Sequence, residues 1–212
     1  MSNSHPQTIV ILLAGGKSSR AEKIKGLRRV NNNYWIDIVL QHYQNMNLSG
    51  IFVGLGYHHD HYQNKSVLLN NSSSQVNYTI NKNPVNGSFS TLQTSLKEAL
   101  NHHWEFALVL PIDCALASES LIMSLLMETQ YKVVKPTFNN QSGHPIKLSR
   151  NFCKKLMEKP KKTQLDNEIR KIKKTHIYWQ KVEDDSIHYN LNTQESWEDY
   201  IKKIEFNPPT KF

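Results

Sequence analysis

The sequence predicts an α/β fold in three layers, with one open, mostly parallel sheet covered by helices on both faces. Three observations carry this expectation. Short continuous apolar runs, Thr8 to Leu13, Ile51 to Leu55 and Phe106 to Leu110, have the composition of strands buried on both faces. Each run stops at or just before a turn former: Gly15, Gly56 or Pro111. Between the runs, apolar residues recur at helical spacing. Strands alternating with helices in this way place ligands outside the carboxyl ends of the strands.

In chain order, Thr8 to Leu13 is the first strand and Ala14-Gly15-Gly16 its tight turn. Ile36, Val39, Leu40, Tyr43 and Met46 mark a helix, and Ile51 to Leu55 the second strand. After a polar loop from Asn70 to Ser74, Val76 to Ile80 reads as a strand, and Ser90 as the N-cap of a helix carrying Leu92, Leu96 and Leu100. Phe106 to Leu110 runs into Pro111-Ile112-Asp113, after which Ser118 caps a helix bearing Leu121, Ile122, Leu125 and Leu126. Lys132 to Thr137 and Pro145 to Leu148 read as strands around a turn at Asn139 to Gly143. Phe152, Cys153, Leu156 and Met157 mark a helix ended near Pro160. A helix over Gln164 to Lys173, a strand from His176 to Val182 and a helix from Thr193 to Ile204 complete the pattern, with no internal repeat.

A chain of 212 residues that is 38% hydrophobic can bury one full core, and residues 1–212 read as one domain. No stretch approaches the roughly 18 uninterrupted apolar residues of a membrane span, and Met1 to Gln7 lacks a secretory pattern, so a cytoplasmic location without a membrane partner is expected. Cys114 and Cys153 have no metal-ligand spacing and read as reduced core residues. The net charge of +8 raises the question of nucleic acid. Its distribution argues for a smaller anion: Lys17, Arg20, Lys23, Lys25, Arg28 and Arg29 crowd the glycine turn, and the second cluster, Lys154 to Lys174, reads as solvated helix surface.

Glycines directly after a buried strand let backbone N–H groups approach an anion, and Ser18, Arg20 and Lys25 add a hydroxyl and two cations. That describes a triphosphate cradle, although neither G-x-x-x-x-G-K-[ST] nor G-x-G-x-x-G occurs. Asp113 follows a buried strand and a proline turn, so its carboxylate stands at the sheet edge, where Mg²⁺ with substrate phosphates would fit. His58-His59-Asp60-His61 reads as an exposed, extended loop rather than a metal cluster. Tyr178-Trp179 and Trp197 with Tyr200 read as core or interface packing.

These residues together resemble the molybdenum-cofactor nucleotidyltransferases, the MobA/MocA-like proteins with a GT-A-type, Rossmann-like fold. The family signature L-A-[AG]-G-x-S-x-R-M-G-x-x-K is matched by Leu13-Ala14-Gly15-Gly16-Lys17-Ser18-Ser19-Arg20 with Lys25. In order, there follow Asn83-Pro84, Gly87 and Ser95-Leu96; Pro111-Ile112-Asp113; Gly143-His144-Pro145-Ile146; and Asn190-Leu191-Asn192-Thr193-Gln194-Glu195. The resemblance implies nucleotide contacts from Leu13, Ala14, Gly15, Gly16, Ser18, Asn83, Gly87 and Ser90, and phosphate contacts from Arg20 and Lys25. It implies catalysis by Lys25, Arg20 and Asp113, with Mg²⁺ on Asp113 and Asn192 and an acceptor side at Gly143, His144 and Pro145. The implied reaction transfers NMP from CTP or GTP to a phosphorylated small molecule, such as a molybdopterin, with release of pyrophosphate.

The chain departs from the pattern in three places. Ala21-Glu22 replaces Met-Gly, bringing a carboxylate near the phosphate loop; Ala115 stands where a proline often occurs; and Asn192 replaces an aspartate found in some members. Gly15-Gly16 is closer to guanylyl-transferring members, whereas Gly143-His144-Pro145 and Asn83 to Leu100 look like cytidylyl-transferring ones, so both bases stay open. Two readings compete with molybdopterin transfer: a sugar-phosphate or phosphocholine nucleotidyltransferase, and a catalytically weak nucleotide-binding regulator motivated by Glu22 and Asn192.

Overall fold

The structure, a computed structural model, describes residues 7–18, 24–46, 48–71 and 75–206. Strand β1 (Thr8–Ala14) is followed by a short hairpin, β2 (Arg29–Val30) and β3 (Asn33–Tyr34), and by helix α1 (Trp35–Gln44). Then come β4 (Ile51–Leu55), α2 (His59–Lys65), α3 (Val67–Asn70), β5 (Val76–Ile80), α4 (Ser88–Ala99) and β6 (Phe106–Pro111). The rest of the chain forms α5 (Glu119–Met127), β7 (Val133–Phe138), β8 (Gln141–Ser142), β9 (Ile146–Ser149), α6 (Arg150–Met157), α7 (Leu165–Arg170), β10 (Ile177–Lys181) and α8 (Gln194–Phe206).

The main sheet runs in the order β10-β7-β9-β6-β1-β4-β5, with β8 appended to β7. Its centre is parallel: β1 lies between β4 and β6, with Leu13 opposite both Gly54 and Pro111. β9 is antiparallel to β6 and to β7, so the sheet is mixed at one side and mostly parallel elsewhere. Period-two alternation assigns the side chains to two cores. Val10, Leu12, Val53, Leu55, Leu108 and Leu110 face α1, α5 and α8, while Ile9, Ile11, Phe52, Ala107 and Val109 face α4, α6 and α7. These are the three layers the sequence predicts.

The sequence places the main strands and most helices within a residue or two, and the differences have local causes. Ser90 is not the N-cap of α4: Gly87, at φ +89°, ends the preceding turn and starts the helix, and the Ser90 hydroxyl donates back to Gly87 O at 2.7 Å. His59, Asp60 and His61 form the first turn of α2 instead of an extended loop, entered through His58 in the left-handed region. The helix expected over 164–173 is only α7, and Trp179 is 43% exposed, whereas Trp197 and Tyr200 are buried. Ser118 caps α5 as its sequence predicts, accepting from the Leu121 N–H at 3.3 Å. Most lysines between 154 and 174 are exposed, in line with a solvated surface. No helix among the described residues is long and apolar enough to cross a membrane.

Candidate active site

The carboxyl ends of β1, β4 and β6 meet at one point on the sheet edge, and the glycine turn is pressed into it. Gly15 has no room for a side chain: an ideal Cβ there would lie 2.6 Å from Thr91 Oγ1. Gly56, at the end of β4, is equally confined, because its Cβ would lie 2.7 Å from Gly15 O. Gly15 O also accepts from the Tyr57 N–H at 3.3 Å. Gly16 is different: it is exposed, and a Cβ there would have no neighbour within 4 Å. The turn is therefore clamped at Gly15 and open at Gly16, which leaves the backbone beyond the clamp facing solvent. Ser18 follows in the left-handed region at φ +55°, and its Oγ accepts from the Lys25 N–H at 3.4 Å.

Lys25 begins a single 3-10 turn, Lys25–Leu27, that is tied down by the Gly26 N–H donating to the Tyr62 hydroxyl at 3.2 Å. Opposite it, the Pro111-Ile112-Asp113 segment is held on two sides. The Ile112 N–H donates to Leu13 O at 3.0 Å, and the buried Trp35 indole N–H donates to Ile112 O at 2.8 Å. The Leu191 N–H donates to Asp113 O at 2.7 Å and the Ala115 N–H to Tyr189 O at 3.1 Å, so residues 189–191 run antiparallel beside 113–115. This pairing delivers Asn192 to Asp113. Lys25 Nζ sits between them, donating to Asp113 Oδ2 at 2.6 Å and to Asn192 Oδ1.

A cavity of about 750 Å³ opens over this point. Leu13 to Ser18, Lys25 and Asp113 line it, with Gly87, Ser88 and Phe89 at the start of α4 and with His144 and Ile146 on the β9 side. Gln164, Leu165 and Asp166 close that side, where Asp166 pairs with Lys135 at 3.2 Å. Burial holds His144 below the ordinary imidazole range, and a backbone hydrogen bond to Val109 opposes the shift. The cavity thus combines an open glycine turn, the Asp113 carboxylate paired with Lys25, and a second wall of mixed polarity that includes the Lys135-paired Asp166.

Of the residues singled out in the sequence, Leu13, Ala14, Gly15, Gly16, Ser18, Lys25, Gly87, Asp113 and His144 line this one cavity. Asn192 joins through Lys25. Arg20 and Glu22 lie outside the described residues. Asn83 and Ser90 do not line the cavity: the Asn83 N–H bonds to Asn81 Oδ1 at 3.0 Å, and Ser90 is buried against Asn81 at 2.8 Å. Gly143 and Pro145 do not line it either; Gly143 packs against Ile187, where an ideal Cβ would lie 2.2 Å from Ile187 O. Sequence reading missed Tyr57, Tyr62, Thr91 and the Gln164 to Asp166 wall, none of which belongs to a recognisable motif.

Residues 10–177 match the family described as the MobA-like NTP transferase domain. The chain belongs to this family. It is a nucleotidyltransferase, and the MobA-like match runs from β1 to the start of β10, taking in most of the cavity lining. No curated protein sequence matches the chain. Solved structures do. A nucleotidyl transferase from Methanothermobacter superposes with a TM-score of 0.78 at 11% identity, over 94% of this chain and 98% of that one. Rv0371c from Mycobacterium tuberculosis, in a complex with manganese, gives 0.67 at 16% identity over 92% and 98%. Molybdopterin-guanine dinucleotide biosynthesis protein A from Archaeoglobus fulgidus gives 0.65 at 13% identity over 93% and 99%. At such identities the likeness concerns the fold, and the MobA-like assignment rests on the sequence match.

Proposed function

We propose that residues 1–212 form one MobA-like domain that transfers NMP from GTP or CTP to a phosphorylated small molecule, with a molybdopterin as the first acceptor to examine. The observation that carries this reading is the convergence of an open glycine turn, Lys25 and Asp113 on a single cavity large enough for a nucleotide and an acceptor. The name of the Archaeoglobus neighbour supports a guanine nucleotide and a molybdopterin.

The site residues suit a divalent cation, for which we propose Mg²⁺. Asp113 Oδ2 and Asn192 Oδ1 already point at one positive charge, the Lys25 ammonium, and both are hard oxygen donors. The manganese complex of Rv0371c supports a metal in this fold. A cation held there would withdraw charge from the triphosphate oxygens.

In the proposed reaction an acceptor phosphate oxygen bonds to the α-phosphorus as the bond from that phosphorus to the β-bridging oxygen breaks, and pyrophosphate leaves. Backbone N–H groups around Gly16 orient the triphosphate, and Lys25 neutralises charge on the leaving pyrophosphate. The wall of His144, Gln164 and Asp166 holds the acceptor. His144, kept neutral by its burial, offers hydrogen bonds without a charge that would compete with Lys25. No side chain forms a covalent intermediate.

The test is pyrophosphate release from GTP or CTP with Mg²⁺ against a panel of molybdopterin, sugar phosphates and phosphocholine. Release with one acceptor, abolished by Lys25→Ala and by Asp113→Ala in folded protein, is the expected result. Full activity in either variant would contradict the assignment, and nucleotide binding without release for any acceptor would favour the regulatory reading.

A further inference from the structure

Asp113 is already engaged by a cation of the protein's own. Lys25 Nζ donates to Asp113 Oδ2 at 2.6 Å and to Asn192 Oδ1, and the Lys25 and Asp113 side chains are only 21% and 19% exposed. These are the same two oxygens that the proposed function offers to a metal. One carboxylate cannot neutralise an ammonium and a dication at once, and like charges a few ångström apart repel strongly where solvent screening is reduced. Among the described residues no group of three or more His, Cys, Asp or Glu could hold a metal and make up the missing negative charge.

We infer that Lys25 and the divalent cation exclude each other at Asp113, so that the protein takes up the cation only together with a triphosphate that draws the ammonium away. The inference rests on the nucleotide-binding reading of the same site. Lys25, Asp113 and the open turn from Gly15 to Ser18 line one cavity, so the ammonium has a second anionic position to move to once phosphates occupy the turn. The backbone need not follow. The Lys25 N–H is held by Ser18 Oγ at 3.4 Å and the Gly26 N–H by the Tyr62 hydroxyl at 3.2 Å, which leaves only the flexible lysine stem to swing. Asn192 matters here because its amide adds an oxygen without a charge. It stabilises the ammonium in the nucleotide-free protein, yet does not supply the second negative charge that would let a dication bind unaided.

The test uses Mn²⁺ alone, without nucleotide, titrated into the full chain and followed by loss of the free-ion electron paramagnetic resonance signal. Lys25→Met removes the charge while keeping the stem, and it is expected to bind Mn²⁺ at least tenfold more tightly than wild type. Lys25→Arg should behave as wild type, and Asp113→Asn added to Lys25→Met should remove the gain. Lys25→Gln serves as the second uncharged variant should Lys25→Met fail to fold. Equal Mn²⁺ affinity in wild type and the uncharged variant, including no binding by either, overturns the inference, as does a gain that survives Asp113→Asn. Titration with GTP and CTP in EDTA separates this result from the underlying reading. Failure of both nucleotides to bind would overturn the nucleotide site, and the Mn²⁺ comparison would still decide whether Lys25 blocks Asp113.

Discussion

Substituting Gly15 and Gly16 in turn should give opposite results, although the two residues are adjacent and chemically identical. An ideal Cβ at Gly15 lies 2.6 Å from Thr91 Oγ1 and 2.9 Å from Thr91 Cγ2, whereas one at Gly16 meets nothing within 4 Å. Thr91 cannot turn away freely, since it is buried in α4 and its hydroxyl accepts from Asn81 Nδ2 at 3.1 Å. Overpacking a methyl at such a position costs about 1–3 kcal/mol, which for a chain of this size lowers the melting temperature by about 2–12 °C. Gly16→Ala should stay within about 0.5 kcal/mol of wild type. Thr91→Ala removes the two nearest atoms and leaves the Thr91 Cβ 3.3 Å from the new methyl. The double variant Gly15→Ala/Thr91→Ala should therefore be more stable than the sum of its parts by about 0.5–3 kcal/mol. Urea unfolding of wild type and these four variants measures this. A Gly15→Ala variant as stable as Gly16→Ala, or strictly additive effects, would refute the claim that α4 clamps the turn.

Buried polar groups give the remaining expectations. Lys147 is fully buried and donates to the carbonyls of Leu125, Leu126 and Glu128 at the end of α5, and burial lowers its pKa to about 8. Between about pH 8 and its ordinary value the unfolded chain holds the proton and the folded one does not, so stability from this residue rises with pH. Urea titrations across that range should show the advantage of wild type over Lys147→Met growing as pH rises; a flat difference would contradict the assignment. His42 is buried in α1 with Nε2 at 2.8 Å from Ala117 O, and desolvation lowers its pKa despite that bond. Stability should fall as pH drops below about 6.5, because the unfolded histidine takes up the proton first. His42→Gln should flatten that decline in melting temperature. Trp35→Phe deletes the donor to Ile112 O and leaves a buried carbonyl unsatisfied, at a cost of about 1–3 kcal/mol. Its Tm should drop accordingly, and an unchanged Tm would show that the Asp113 segment is anchored elsewhere.

The sequence makes the strands of the site more legible than its walls. β1, β4 and β6 are visible because a parallel strand buried on both faces must be apolar throughout, and Gly15, Gly56 and Pro111 end them where the ligand side begins. Lys25 and Asp113 are each legible in the sequence, as a cation after the glycine turn and a carboxylate at a strand end, but their meeting across 88 positions is not, since it depends on two separate tethers, at Tyr62 and at Trp35. The short α2 is hidden because its histidines and polar residues carry little helical periodicity, and it forms by docking Tyr62 under Gly26. Ser90 illustrates the limit of capping rules. A serine near a helix start looks like an N-cap, but Gly87 three residues earlier provides the turn conformation that starts the helix. Gln164 to Asp166 carry no chemical pattern at all and reach the cavity only through the path of the chain between α6 and β10.

Nucleotide binding at the clamped turn is the property on which the proposed reaction depends. Thermal unfolding with each of the four NTPs, with and without Mg²⁺, for wild type and Asp113→Ala, measures it. Binding at a hundredfold excess over Kd stabilises by about 2.7 kcal/mol, which corresponds to a rise of about 5–11 °C. Such a rise is expected with GTP or CTP and Mg²⁺ in wild type, selective for one base and reduced in Asp113→Ala. No shift with any nucleotide, or an equal shift with all four that Asp113→Ala leaves untouched, would contradict it.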